Sequence, residues 1–169
     1  ETDHDSFADA EATARARTLN LLRIKGDKSV LSFHRDLGQL IWNGVGMSRN
    51  KAALEETIDG VRALRSEFWQ NLRVPGEANT LNKNLEFDGR VDDLMELGEL
   101  MTQYAIAREE SCGSHFRTEY QTAEGEARRR DEAYSPAAAW QYKGDEQVHE
   151  LISETLEFEN VKLTQRSYK

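Results

Sequence analysis

The residues best able to do chemistry are concentrated at positions 108–117, which read Arg-Glu-Glu-Ser-Cys-Gly-Ser-His-Phe-Arg. This segment begins where a long amphipathic pattern stops. Anions at the C-terminal end of a helix cost about 0.3–1 kcal/mol each, because the helix dipole is negative there. We therefore expect Glu109 and Glu110 to be held by partners, either Arg108 and Arg117 or a group outside this chain. The pattern indicates a docking surface, with candidate residues Arg108, Glu109, Glu110, His115 and Arg117.

Other candidates for catalysis or metal binding are weaker. Cys112 lies beside two carboxylates, which disfavour the reactive thiolate, so it is interpreted as a structural thiol. His115 fits a structural histidine better than a functional one. The chain has no glycine-rich phosphate loop, nucleophile elbow or paired-carboxylate pattern. Possible metal ligands without the spacing of a known metal motif are His34, Asp36 and Glu55 or Glu56. The sequence therefore predicts no active site and no metal site.

Composition restricts the class of protein. The chain has 169 residues, enough for one ordinary core, and a formal charge of −9 without a sustained basic stripe, so nucleic-acid binding is disfavoured. A single cysteine permits no internal disulfide, which favours a reducing compartment. No apolar run approaches the roughly 20 residues that span a bilayer, and no signal-peptide pattern is present. The first residue is Glu1 rather than Met, as expected of a processed or cloned piece. These features predict a soluble, acidic, mostly helical module.

The elements that must position these residues begin with four helices. The first is predicted from about residue 6 to residue 25, capped by Asp5 or Ser6, with a break at 26–29. Its modest apolar stripe comprises Phe7, Ala10, Ala14, Leu21 and Leu22. The second helix should begin near Ser29 and end at Gly46, where glycine would accept a left-handed conformation. Its apolar face comprises Val30, Phe33, Leu37, Leu40, Ile41 and Val45.

The third and fourth helices continue the same spacing. The third is capped by Ser48 or Asn50 and ends before Pro75, and its face comprises Leu54, Ile58, Val61, Leu64, Phe68 and Leu72. The fourth begins somewhere between residues 79 and 91 and ends near Glu110. Its predicted face comprises Leu94, Leu97, Met101, Tyr104 and Ala105. Short connections between consecutive helices predict an antiparallel three-helix bundle.

The chain changes character after Gly113. Residues 122–132 are charge-dense and aperiodic, which predicts a loop. Alternating residues predict short β segments at 140–142, 156–159 and 161–164, with a bulge or bend at Asn160. Trp140 and Phe158, large apolar residues in this region, are further candidates for an interface. The predicted divisions are an N-terminal helix and linker (1–28), a bundle (29–117), and a loop with an extended tail (118–169).

Several segments together resemble one family. Residues 34–42 (His-Arg-Asp-Leu-Gly-Gln-Leu-Ile-Trp) and 45–50 look like the opening helix of the C-terminal domain of succinate dehydrogenase and fumarate reductase flavoproteins. Residues 94–100 and 105–111 are similar to its third helix, and 112–120 to the loop that follows. Residues 158–168 resemble the tail of one branch of that family. The resemblance covers most of the chain from Ser29 onward, in order, and implies a mainly α, spectrin-repeat-like bundle with an added N-terminal helix and an extended tail.

The resemblance implies a non-catalytic piece of an enzyme. In such flavoproteins an upstream domain binds FAD, a capping domain closes over the dicarboxylate, and hydride moves between succinate and flavin N5. Electrons then pass to an iron–sulfur subunit and, indirectly, to a membrane anchor. This chain would pack on the flavin-binding and capping domains of its own polypeptide and would itself hold no cofactor. The implied location is the cytoplasmic face of the bacterial inner membrane, within a complex.

Two alternatives remain beside this interpretation. L-aspartate oxidase shares the same helical domain, although the long tail argues against it. A free-standing helical adaptor is the other, and it predicts few exposed apolar side chains. One departure from the family pattern is Cys112, which stands where many members have arginine in Arg-Gly-Ala-His. Any ionic contact made by that arginine in relatives is therefore in doubt here.

Overall fold

The computed structural model describes residues 3–144, 147 and 149–164. The helices are α1 (Asp5–Arg23), α2 (Val30–Val45), α3 (Lys51–Asn71), α4 (Lys83–Ala107) and the short α5 (Asp131–Tyr134). The strands are β1 (Lys28–Ser29), β2 (Leu72–Arg73), β3 (Ala137–Gln141) and β4 (Glu150–Glu154). The predicted mainly helical architecture is confirmed.

The chain forms two compact units, Glu1–Ala107 and Arg108–Lys169. The boundary follows the end of α4 and so precedes the division after residue 117 that the sequence suggested.

The first unit contains the bundle of α2, α3 and α4. Phe33 of α2 packs edge-to-face on Phe68 of α3, with ring centroids 5.2 Å apart, and Leu40 approaches Gly60. A residue later in α2 therefore contacts a residue earlier in α3, so these two helices are antiparallel. The predicted core faces of α2 and α3 are largely confirmed, with Leu40 and Ile41 at the margin. The buried members are Val30, Phe33, Leu37, Val45, Leu54, Ile58, Val61, Leu64, Phe68 and Leu72.

The helix caps agree with the sequence at two places and differ at two. Ser29 caps α2 by accepting the Ser32 N–H, and Asn50 caps α3 by accepting the Ala53 N–H at 2.9 Å. Helix α1 is capped by His4, whose Nδ1 accepts the Ser6 N–H, rather than by Asp5 or Ser6. Gly46 ends α2 with φ −65°, so the left-handed conformation predicted there is wrong. Glycine is needed because a Cβ would lie 2.6 Å from the Trp42 carbonyl oxygen.

The buried face of α4 differs from the predicted one. Three residues expected in the core, Leu94, Leu97 and Met101, are exposed. Ala105 of the predicted face is buried, and the other buried positions of α4 are Asp88, Val91, Asp92, Met95, Gly98 and Thr102. The reason is that α1 and α3 supply donors to Asp92: Arg17 Nη2 at 2.5 Å, Trp69 Nε1 at 3.1 Å and Arg65 Nε at 3.4 Å. These contacts place a satisfied carboxylate, rather than the leucines, against the neighbouring helices.

The strands form two small sheets. β1 pairs with β2 in parallel, with Lys28 opposite Leu72. β3 pairs with β4 in antiparallel register, from Ala137 opposite Glu154 to Gln141 opposite Glu150. The predicted strands at 156–159 and 161–164 are wrong for the described residues, because alternation alone provides no hydrogen-bonding partner for the backbone. Residues 165–168 of the family-like tail lie outside the described part of the chain.

The predicted loop at 122–132 is partly structured. Gln121 and Ala127 bridge across a tight turn in which Gly125 has φ +81°. The loop then ends in α5 rather than continuing to residue 132.

Candidate docking site

The candidate segment opens the second unit with a tight turn. The Cys112 N–H donates to the His115 carbonyl at 2.8 Å, and the His115 N–H donates to the Cys112 carbonyl at 3.1 Å. Gly113 lies in the left-handed region with φ +58°, which glycine adopts without a Cβ penalty. This turn reverses the chain and returns residues 115–117 to the level of residues 108–111.

Glu110 is buried and satisfied within this unit. Its Oε1 accepts the Arg108 Nε at 2.8 Å, and its Oε2 accepts the backbone N–H of Arg130 at 2.7 Å. Glu109 is exposed and pairs with the Arg130 guanidinium at 3.2 Å. Arg108 is therefore a partner of Glu110, as the sequence allowed. The backbone donor from residue 130 could not be read from the sequence.

Arg117 is also buried, with 1% of its surface exposed. Its Nε lies 3.3 Å from Glu119 Oε2, and the guanidinium lies 5.2 Å from the Tyr120 ring centre. Its backbone N–H donates to Ser111 Oγ at 2.8 Å, and that hydroxyl donates to the Arg117 carbonyl at 3.0 Å. Ser111 is thus a central residue that the sequence analysis missed, since a serine beside charged residues carries no distinctive signal.

His115 has a structural role in this arrangement. Its Nε2 lies 2.9 Å from the Arg108 carbonyl oxygen. Because a carbonyl only accepts hydrogen bonds, the ring nitrogen is the donor, and it ties the turn back to the start of the segment. Hydrogen bonds thus join Arg108 to Glu110 and His115, and Ser111 to Arg117, and we call these five residues the charged turn.

Trp140 and Phe158 lie elsewhere in the second unit. Trp140 is half-buried in β3 opposite Leu151, and its indole N–H has no acceptor among the described residues. Phe158 follows β4 and is 66% exposed. Exposed apolar neighbours of Phe158 along the tail are Leu156, Val161 and Leu163.

The charged turn is not arranged for acid–base or metal chemistry. Its carboxylate, Glu110, accepts from an arginine and a backbone N–H, so it is not available as a general base. Across residues 3–144, 147 and 149–164, no group of three or more His, Cys, Asp and Glu could hold a metal ion. Of the earlier candidates, Asp36 pairs with Lys28 at 2.8 Å and His34 contacts the Phe87 ring. Among the helices described, none is both long and apolar enough to cross a membrane.

A second candidate surface lies on the bundle. Leu94, Leu97 and Met101 follow one another at helical spacing along α4 and are 38–51% exposed. We call these three residues the α4 stripe. Trp42, near the end of α2, is 80% exposed. The sequence correctly predicted that the three residues of the α4 stripe share one helical face, but it wrongly predicted that this face is buried.

Comparisons with known proteins agree on one family. The family described as "Fumarate reductase flavoprotein C-term" matches residues 34–168. The chain is 25% identical over 118 residues to the fumarate reductase flavoprotein subunit of Haemophilus influenzae, covering 69% of this chain and 20% of the relative. It is 22% identical over 101 residues to the succinate dehydrogenase flavoprotein subunit of Bacillus subtilis, covering 60% and 17%. The chain thus spans about a fifth of the length of these curated relatives.

Solved structures share the fold. A quinol–fumarate reductase structure with menaquinol molecules matches with a TM-score of 0.80 and 20% identity, covering 96% of this chain and 27% of that one. The Sdh1 structure of Mycobacterium smegmatis with UQ1 matches with a TM-score of 0.63 and 22% identity, covering 86% and 23%.

Proposed function

Because the chain belongs to the family of fumarate reductase flavoprotein C-terminal domains, we propose that it is the non-catalytic helical domain of an FAD-dependent succinate/fumarate oxidoreductase. The match over residues 34–168 carries this proposal. The catalytic chemistry, interconversion of succinate and fumarate, belongs to the remainder of such a polypeptide. The alternatives are the corresponding domain of L-aspartate oxidase and a free-standing adaptor.

The residues of this chain do not fit a flavin site. A dinucleotide site needs a glycine-rich turn between a strand and a helix, where backbone N–H groups meet the phosphates. Among the described residues, β1 is directly followed by the long helix α2. No residues lie between Ser29 and Val30, so there is no room for a glycine-rich turn at this place. We therefore assign FAD to the flavin-binding domain of the parent protein and no step of the reaction to this chain.

The domain's role in this proposal is to pack and to support assembly. Its partners would be the flavin-binding and capping domains of the same polypeptide and the iron–sulfur subunit, with the membrane anchor contacted indirectly. The assembly would lie at the cytoplasmic face of the bacterial inner membrane. The exposed α4 stripe and the exposed tail residues Phe158 and Leu163 support this role, because apolar surface of this kind is typical of sites that bind other protein. An independent adaptor would expose fewer apolar side chains.

In this proposal the charged turn supports the structure of the second unit and does not itself bind the partner. Its charges are satisfied inside the second unit, so it shapes that unit, and Glu109 and Arg130 on its outer edge are the groups available at the surface. The candidate docking residues Arg108, Glu110, His115 and Arg117 would then act by holding this edge in position. Trp140 and Phe158, elsewhere in the second unit, would supply apolar contacts to the partner.

The test uses the full-length flavoprotein that carries this domain. The variant L97S/M101S should lower co-purification of the iron–sulfur subunit or retention of FAD, and with it succinate-dependent quinone reduction. The matched control is R90S, an exposed position on the same helix whose side chain pairs with Glu86 one turn away. Normal assembly and turnover of L97S/M101S would rule out docking through the α4 stripe. Assaying the same protein with aspartate in place of succinate separates the aspartate oxidase alternative.

A further inference from the structure

Asp88 is a buried carboxylate that the proposed function does not use. It lies on the inner face of α4 with no exposed surface, and neither carboxyl oxygen has a hydrogen-bond partner among the described residues. Leu85 and Val91, three residues to either side, share its face and belong to or pack on the main hydrophobic cluster. An ionised carboxylate in such a place is strongly unfavourable, so the folded bundle accommodates the neutral acid.

Helix α1 passes over this position. Arg17 contacts Asp92, one turn beyond Asp88 in α4. At the other end, Lys25 bridges to Arg73 and the Gly26 N–H donates to the Leu72 carbonyl, near where the chain leaves α3. The ion pairs Arg65–Asp92 and Arg62–Glu99 show that α3 runs antiparallel to α4, so residue 72 lies toward the start of α4. The turn of α1 around Leu21 therefore lies at the level of Asp88.

Helix α1 is also the helix of the first unit with the fewest anchors. Leu21 is its one buried residue in the described chain, and the rest of its length is mostly exposed. Among the described residues, the ion pairs of α1 with α4 are those of Arg17 with Asp92 and Asp93. Water can reach Asp88 most easily if this helix moves.

We propose that Asp88 makes the seating of α1 on the bundle proton-dependent: the neutral acid allows α1 to close over α4, and the ionised form favours release of its C-terminal half. This inference is independent of the proposed function, since it concerns contacts within the first unit alone. The part of the bundle that α1 covers would then become more accessible as the pH rises toward neutrality.

The charged groups that face this part of α4 come from each neighbouring helix. They are Arg17 from α1, Arg65 from α3, His34 from α2 through its contact with Phe87, and Asp92 on α4 itself. Both arginines pair with Asp92, and neither oxygen of Asp88 has a hydrogen-bond partner among the described residues. Asp88 is therefore left without a compensating charge.

The direction of the pH effect follows from burial, which raises the pKa of Asp88 to about 7. In the released state water solvates the carboxyl group, and its pKa returns toward the ordinary aspartate value of about 4. The closed state then binds the proton more tightly than the open state. The stabilising contribution of neutral Asp88 is complete below about pH 4, falls as the pH rises from about 4 to about 7, and is fully lost above about 7.

The experiment is hydrogen exchange of the full chain, analysed by mass spectrometry at pH 5.5 and pH 8 and corrected for intrinsic exchange rates. Protection of the amides in residues 17–23 should fall about thirtyfold between these two values, as a pKa of about 7 against about 4 requires. The variant D88N carries a neutral isostere, so its protection should be the same at both pH values. Residues 57–68 of α3 serve as the internal reference.

Two further variants make the result decisive. H34Q removes the imidazole that contacts the Phe87 ring next to Asp88, and it should retain the wild-type pH dependence. D88L also cannot ionise, and it replaces the carboxyl group with an apolar side chain, so its protection should likewise be the same at both pH values. If the wild type shows equal protection at both pH values, or if H34Q abolishes the change while D88N keeps it, the proposal is overturned. If neither Asp88 variant folds, the wild-type and H34Q measurements still decide the question.

Discussion

The two units of this chain are stabilised by different kinds of contact. In Glu1–Ala107 the buried residues are mainly apolar and recur at helical spacing, as in the Phe33–Phe68 pair. In Arg108–Lys169 the fully buried residues are polar or charged, with Glu110, Ser111 and Arg117 at the centre. Hydrophobic burial is non-directional and tolerates some variation, whereas a buried ion pair requires correct geometry and satisfied partners. Substitutions should therefore affect the two units in different ways.

The two units also differ in how well their apolar residues are covered. A two-stranded hairpin such as β3–β4 is marginally stable in water without a third strand or a covering helix. Its residues Leu151 and Ile152 are exposed, in contrast to the enclosed core of the bundle. The second unit thus offers a surface that other protein would stabilise, which agrees with the proposed role in assembly.

The largest expected effect is truncation of an aromatic core residue in the bundle. F68A should lower the free energy of unfolding by about 3–5 kcal/mol, because Phe68 is fully buried and its removal leaves a cavity. Urea unfolding followed by circular dichroism measures this change. F68L, which retains much of the volume, is the control and should lose clearly less. A loss below about 1 kcal/mol for F68A would show that the bundle core is not closely packed.

The equivalent test in the second unit removes a charge. E110A should destabilise the segment 108–135 by about 3 kcal/mol, because it removes the buried carboxylate that accepts from Arg108 and from the Arg130 N–H. Hydrogen exchange of that segment is the measurement. E109A, at an exposed ion pair, should change it by less than about 1 kcal/mol. Equal effects of the two variants would mean that burial does not distinguish these carboxylates.

The same contrast explains what could be predicted from the sequence. The faces of α2 and α3 were predicted because apolar periodicity alone determines them, and the Ser29 and Asn50 caps follow from local hydrogen bonding. The α4 face could not be predicted, since the burial of Asp92 depends on donors from Arg17 and Trp69, far away in sequence.

In the second unit the residue types of the candidate site were recognised, but their roles were not. Charged residues at 108–117 indicated paired groups, yet the partner of Glu110 includes a backbone N–H twenty positions away. The hairpin β3–β4 was only partly anticipated, because the pairing of Trp140 with Leu151 is a tertiary feature. The family could be recognised because several segments resemble it in the same order along the chain. Such a combination is more specific than apolar periodicity, which many helical proteins share.

A smaller effect is expected from a helix cap. N50A should destabilise the bundle by about 1 kcal/mol, because the Ala53 N–H loses its side-chain acceptor at the start of α3. N50D retains an acceptor and should remain close to the wild type. Thermal unfolding of the three proteins compares them directly. If N50A and N50D lose the same stability, the side chain of Asn50 has another role.

The smallest effect on stability is expected where a large apolar side chain lies outside both cores. Trp42 in the first unit is 80% exposed and Phe158 in the second is 66% exposed, so W42S and F158S should each change the free energy of unfolding by no more than about 0.5 kcal/mol. Both should, however, reduce binding of a hydrophobic dye to the folded chain, because each removes exposed apolar surface. Urea unfolding and dye fluorescence on the same samples separate these two properties. A loss of stability above about 1 kcal/mol in only one variant would show that its aromatic ring is covered in solution, and the two units would then differ in their surfaces as well as in their cores.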